Sequence, residues 1–130
     1  MNKYDKKIVE AYIADITKDK MSAEIALEIF QEEEKDLEKR SEKQEKEVKT
    51  IKENLDELNA KKKEGIKDKE LRDQNKELIQ VVSEKFETAQ NEIVSIISRL
   101  QQVTQKISQY EDFIETMEKT IEKAKSRVSK

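Results

Sequence analysis

The stretch IQVVSEKFETAQNEIVSIISRLQQVTQKISQYEDFIETMEKTIEKAKSRV, residues 79–128, decides the fold. Read in sevens with Ile79 at position a, its a sites are Ile79, Phe86, Ile93, Leu100, Ile107, Ile114, Ile121 and Val128. Its d sites are Val82, Ala89, Ile96, Val103, Tyr110, Met117 and Ala124. None of these is charged. Alternation by three and four residues, sustained this long, lays one apolar stripe along a helix and demands a second stripe to cover it.

Composition narrows where that cover comes from. With 44% charged residues and a mean hydropathy of -1.01, the 130-residue chain is too hydrophilic to wrap a compact globular core, so the stripe itself has to be the core. No Pro and a single Gly agree with long, solvated helices.

Upstream, Val9, Ile13 and Ile16 recur at helical spacing, with Ile8 and Tyr12 widening the same face. The apolar pattern pauses at Lys18, Asp19 and Lys20, and Ser22 is a residue type that caps helices. A break near residues 18–22 would leave a short separate N-terminal helix. From Ala23 the heptad runs on through Leu27, Phe30, Leu37, Val48, Ile51, Leu55 and Leu58, with Glu34, Ser41 and Gln44 at seam positions between them. Glu and Lys placed four apart, as in Glu42 with Lys46, support an exposed helix through this middle.

The turn is signalled by Lys61-Lys62-Lys63-Glu64-Gly65. Three lysines suit the negative end of a helix dipole, Gly65 can close the helix in the left-handed conformation, and Asp68 with Glu70 suits the next helix start. Folding about Gly65 brings residues whose numbers sum to about 130 together, and apolar positions of the two arms then coincide: Leu37 with Ile93, Val48 with Val82, Ile13 with Met117. The reading is one all-α domain over 1–130, a long antiparallel helical hairpin of coiled-coil type. Arm one covers 3–64, the turn 65–67 and arm two 68–128. A parallel extended coiled coil stays open beside it, because Ile at most a sites also suits parallel trimers.

The hairpin leaves apolar residues over. In this register Gln44, Ser41 and Glu34 face Phe86, Ala89 and Ile96, while Leu78, Val81, Val94, Ile97 and Phe113 lie outside the seam. Charge is also sparse around the second arm. These features point to a partner or oligomer interface formed by Leu78, Val81, Phe86, Val94, Ile97 and Phe113, with the surface around 86–97 partly vacant and open to a second helix.

Several chemistries are absent from the residue set. Without His or Cys there is no usual general base, thiolate nucleophile or standard zinc ligand, and no disulfide framework. Acid pairs such as Glu32 to Glu34 lie on a solvated face, where nothing drives their pKa values apart. One Gly cannot build a phosphate loop. No catalytic, cofactor or metal site is expected, and the chain reads as non-enzymatic. Basic and acidic residues number 15 and 18 in residues 1–65 and 12 and 12 in residues 66–130, so neither half offers a field for phosphate backbones. A helix-turn-helix over residues 9–30 would run into the acids Glu32 to Glu34. Nucleic acid is therefore a disfavoured partner, kept as a second alternative for an accessory role. No apolar run approaches a membrane span or a secretory signal, which leads to the expectation of a soluble, cytoplasmic protein.

The segment Tyr110-Glu111-Asp112-Phe113-Ile114-Glu115-Thr116-Met117-Glu118-Lys119, with Ile121, resembles the Tyr-x-x-Phe-Ile segment of flagellar export chaperone and stalk proteins. Those form antiparallel helical hairpins near a secretion ATPase. The resemblance implies an export-apparatus chaperone or ATPase-stalk role of the flagellar or type III secretion kind. The residues themselves point to a scaffold or protein-protein interaction module that self-associates as a dimer of hairpins or captures a partner helix.

Overall fold

In the computed structural model, which describes residues 2–129 and only the backbone of Tyr4, the chain is an all-α helical hairpin. Helix α1 spans Lys3–Glu64 and helix α2 spans Lys69–Ser129, packed against each other. Contacts gather into two compact units, one of the chain up to Lys35 and from Gln101, the other of Asp36–Leu100.

The helix ends are formed by the residue types such ends require. Asn2 caps α1, its Oδ1 accepting from the Asp5 amide at 2.9 Å, and Asp68 caps α2, its Oδ1 accepting from the Glu70 amide at 2.9 Å. At the end of α1, Gly65 has φ 88 and its amide donates to the Lys61 and Lys62 carbonyls at 3.2 and 3.3 Å. These bonds satisfy carbonyls that the ending helix would otherwise orphan, and the left-handed turn that makes them suits a residue without a Cβ.

Every a and d site of residues 79–128 is buried or half-buried, and the d sites, Tyr110 apart, are the deeper set. On α1 the non-exposed positions run from Val9 to Leu58 in an unbroken alternation of four and three. Among the described residues of α1, only Ala26 and Glu33 outside this series are not exposed. The stripe is therefore narrow, as a two-helix contact requires.

The break expected near residues 18–22 does not occur, and there is no short N-terminal helix. Lys20 occupies a seam position between Ile16 and Ala23, so the pause in the apolar pattern is a lysine inside the seam and not a gap in the helix. Its aliphatic stem lies along the seam while its ammonium reaches out to Glu24 at 3.5 Å and, across the hairpin, to Glu118 at 3.3 Å. The Thr17 hydroxyl bonds back to the Ile13 carbonyl at 2.7 Å, and Ser22 is simply an exposed helical residue. With no Gly or Pro, nothing there ends the helix.

In the unit of Asp36–Leu100, the core is Leu37, Leu58, Val82, Ala89 and Ile96, with Gln44 and Asn75 buried among them. Gln44 Nε2 donates to the Ala89 carbonyl at 3.2 Å, and Asn75 Nδ2 donates to the Leu58 carbonyl at 3.3 Å. The numbers of each pair add to 133, against the value near 130 expected from a fold-back at Gly65. The reason is the turn. α1 stops at Glu64 and α2 starts at Lys69, so the fold-back is centred between residues 66 and 67, and Gln44 meets Ala89 in place of Phe86. The seam's middle is thereby closed: Ala89 and Ile96 are buried, and Phe86 and Ile93 half-buried.

In the other unit, Val103 is fully buried and Ala23, Ile107, Met117 and Ala124 surround the same seam. Phe30 stacks on Tyr110 with ring centroids 5.7 Å apart, and the Thr104 hydroxyl donates to Glu34 Oε2 at 3.3 Å. Helical side chains lean toward their own N-terminus, so in an antiparallel pair two long side chains meet although each starts about five to seven residues beyond the other's level. Phe30 with Tyr110 and Lys20 with Glu118 meet in this way.

Two outcomes are expected. Gly65→Ala, with open space around its new Cβ but a φ of 88, should destabilise the hairpin by about 1 kcal/mol in chemical denaturation, and Gly65→Asn by less. Cysteines at Leu37 and Ile96 should close an intrachain disulfide faster than cysteines at Leu37 and Ile93, measured by non-reducing electrophoresis of dilute protein.

Candidate interaction surfaces

The narrow seam leaves large apolar side chains outside it. On α2 these are Leu71, Leu78, Val81, Val94, Ile97 and Phe113, at exposures between 40% and 65%. Five of the six positions assigned to an interface from the sequence are thus on the surface. Phe86 is not: it sits half-buried in the seam.

The exposed residues do not form one face. Leu78 with Val81 and Val94 with Ile97 are each three residues apart, so each pair makes a local patch. At about 100° per residue the centres of the two patches lie roughly 160° apart around α2. One flank of the helix carries Leu78 and Val81, bordering a shallow open groove lined by Gln44, Ile51, Val81, Lys85 and Ala89. Val94 and Ile97 stand on the other flank. Phe113 belongs to the other unit, where its neighbour Tyr110 is drawn into the seam by Phe30.

A third patch is not among those expected from the sequence. Met21, Ile25 and Ile29 are each 59% exposed and follow one another at intervals of four, on the face of α1 turned away from the seam. Ile8 at 67% and Tyr12 at 53% are exposed as well and do not widen the seam. The signal is present as an apolar i, i+4, i+8 series out of phase with the heptad, but it lies beside the pause at Lys18 to Lys20, which reads as a break.

Lys20, Glu34, Gln44 and Asn75, polar residues within the seam, are all engaged. Among the described residues no buried side-chain nitrogen or oxygen lacks a hydrogen-bond partner, and a buried donor left unpaired would cost about 1–3 kcal/mol. The hydrogen bond from Lys20 to Glu118, with the charges of Glu118 and Glu24, holds the lysine above its ordinary 10.5 against the opposing pull of desolvation. Among the described residues no group of three His, Cys, Asp or Glu could hold a metal ion, and no helix is long and apolar enough to cross a membrane. Compared with family models, curated proteins and solved structures, the chain finds no match.

Lys20→Met should raise the melting temperature at neutral pH, because it continues the apolar seam and gives up only ion pairs open to solvent. The pair's contribution follows from a folded pKa raised above the unfolded one. It is fully present below 10.5 and is lost as pH climbs through the folded value, so the variant's margin over the wild type should widen above pH 10.5. Paired thermal melts across that range measure it.

Proposed function

We propose that the chain is a non-enzymatic coiled-coil scaffold, acting in the cytoplasm, that self-associates or takes up a partner helix through apolar patches outside its own seam. The observation that carries this reading is the exposure of Leu78, Val81, Val94 and Ile97 on α2 once the seam is already covered by α1. Covering the exposed half of each such side chain is worth on the order of 1 kcal/mol, and a hairpin of two helices has no further core in which to hide them. Their placement on two flanks favours an arrangement in which α2 is bordered by more than one added helix, as in a dimer of hairpins that packs as a four-helix bundle.

Light scattering on the purified protein tests the reading. The wild type should exceed the monomer mass, and Leu78→Glu with Val81→Glu, or Val94→Glu with Ile97→Glu, should each lower that mass while circular dichroism at 222 nm stays unchanged. A strictly monomeric wild type whose binding to every tested helical partner also survives both variants would remove the proposal.

A further inference from the structure

The Met21, Ile25 and Ile29 patch carries a symmetry that the patches on α2 lack. Ile25 is its centre, with Met21 four residues before and Ile29 four residues after. One heptad before Ile25 stands Lys18, and one heptad after it stands Glu32, both exposed and both within about 20° of Ile25 around the helix. Along one face of α1 the order is therefore cation, apolar, apolar, apolar, anion.

We infer that this face pairs with the same face of a second copy, antiparallel and two-fold about Ile25. In an isologous contact, residue i meets j and j meets i. Turning the face on itself sets Ile25 against Ile25, interleaves Met21 with Ile29 of the second copy, and places Lys18 opposite Glu32 of the second copy, twice. A parallel pairing would set Lys18 on Lys18 and Glu32 on Glu32, so charge selects the antiparallel mode. Glu24, at the edge of the face, is already engaged by Lys20 in its own chain at 3.5 Å, and Glu28 lies on the same edge, at the rim beside Met21 of the second copy. The patch lies opposite the seam, so pairing leaves the hairpin intact. The contact is smaller than a standard protein interface, which makes the association concentration-dependent.

This inference builds on the reading of the chain as a self-associating scaffold but uses α1 in place of α2, so the two can fail separately. Sedimentation equilibrium on the full chain tests it with Lys18→Glu and Glu32→Lys. Each variant alone turns two attractive pairs into two repulsive ones and should weaken dimerisation about tenfold. An equimolar mixture of the two variants should recover the wild-type affinity as a heterodimer, because positions 18 and 32 are then both acidic on one chain and both basic on the other, and each pair joins opposite charges. The double variant should recover it too. Ile25→Glu should abolish the dimer without changing the helical signal. Failure of the mixture to recover, single variants that dimerise like the wild type, or a wild-type dimer lost with Val94→Glu and Ile97→Glu but kept with Ile25→Glu would each overturn the inference. So would a wild type that stays monomeric at every concentration reached.

Discussion

The structure depends on the covering of one narrow apolar stripe on α2 by a matching stripe on α1. In a chain this charged there is no other place to remove apolar area from water, so the two helices hold each other in place. Lys- and Glu-rich sequence with four-apart pairs favours helix locally, but in a folded chain most helical stability comes from packing an apolar face. The seam from Val9 to Leu58 on one side and from Asn75 to Val128 on the other supplies the tertiary packing that makes them helices.

Polar insertions in this seam are tolerated for different physical reasons. Gln44 and Asn75 are short enough to stay inside, and each finds a backbone carbonyl of the opposite helix whose second lone pair is free to accept. Lys20 is long enough to leave, burying its stem and keeping its charge at the edge beside Glu118. Glu34 meets the Thr104 hydroxyl. Burial of a polar group is costly only when it loses its partners, and here the opposite helix provides them. The middle of the hairpin, where α1 is poorest in apolar residues, is for this reason as closed as its ends.

The same narrowness explains what remains outside. A seam of a and d positions covers about two residues in seven, and anything apolar at another heptad position is left facing solvent. On α2 that leaves patches on two flanks, and on α1 it leaves Met21, Ile25 and Ile29 on the outer face.

Residue order alone determined the all-α class, favoured two arms turning at Gly65 over a parallel coiled coil, and placed nearly every seam residue on α2, because a heptad repeat and a lone Gly are local signals that survive without knowledge of the partner. It did not reveal that Lys20 continues the seam, since a lysine at an a or d site looks like an interruption until the acid that receives its charge is seen across the hairpin. Nor did it set the register. Moving the fold-back from residue 65 to a point between 66 and 67 displaces each pair by about three residues, and both alignments bring apolar groups together, so periodicity cannot choose between them. Only the tertiary structure decided, through the cap at Asp68 that starts α2 and the carbonyls that Gln44 and Asn75 reach. The surfaces followed the same division: the exposed residues and their two flanks follow from spacing along a helix, but that Phe86 is covered depends on where the second helix sits.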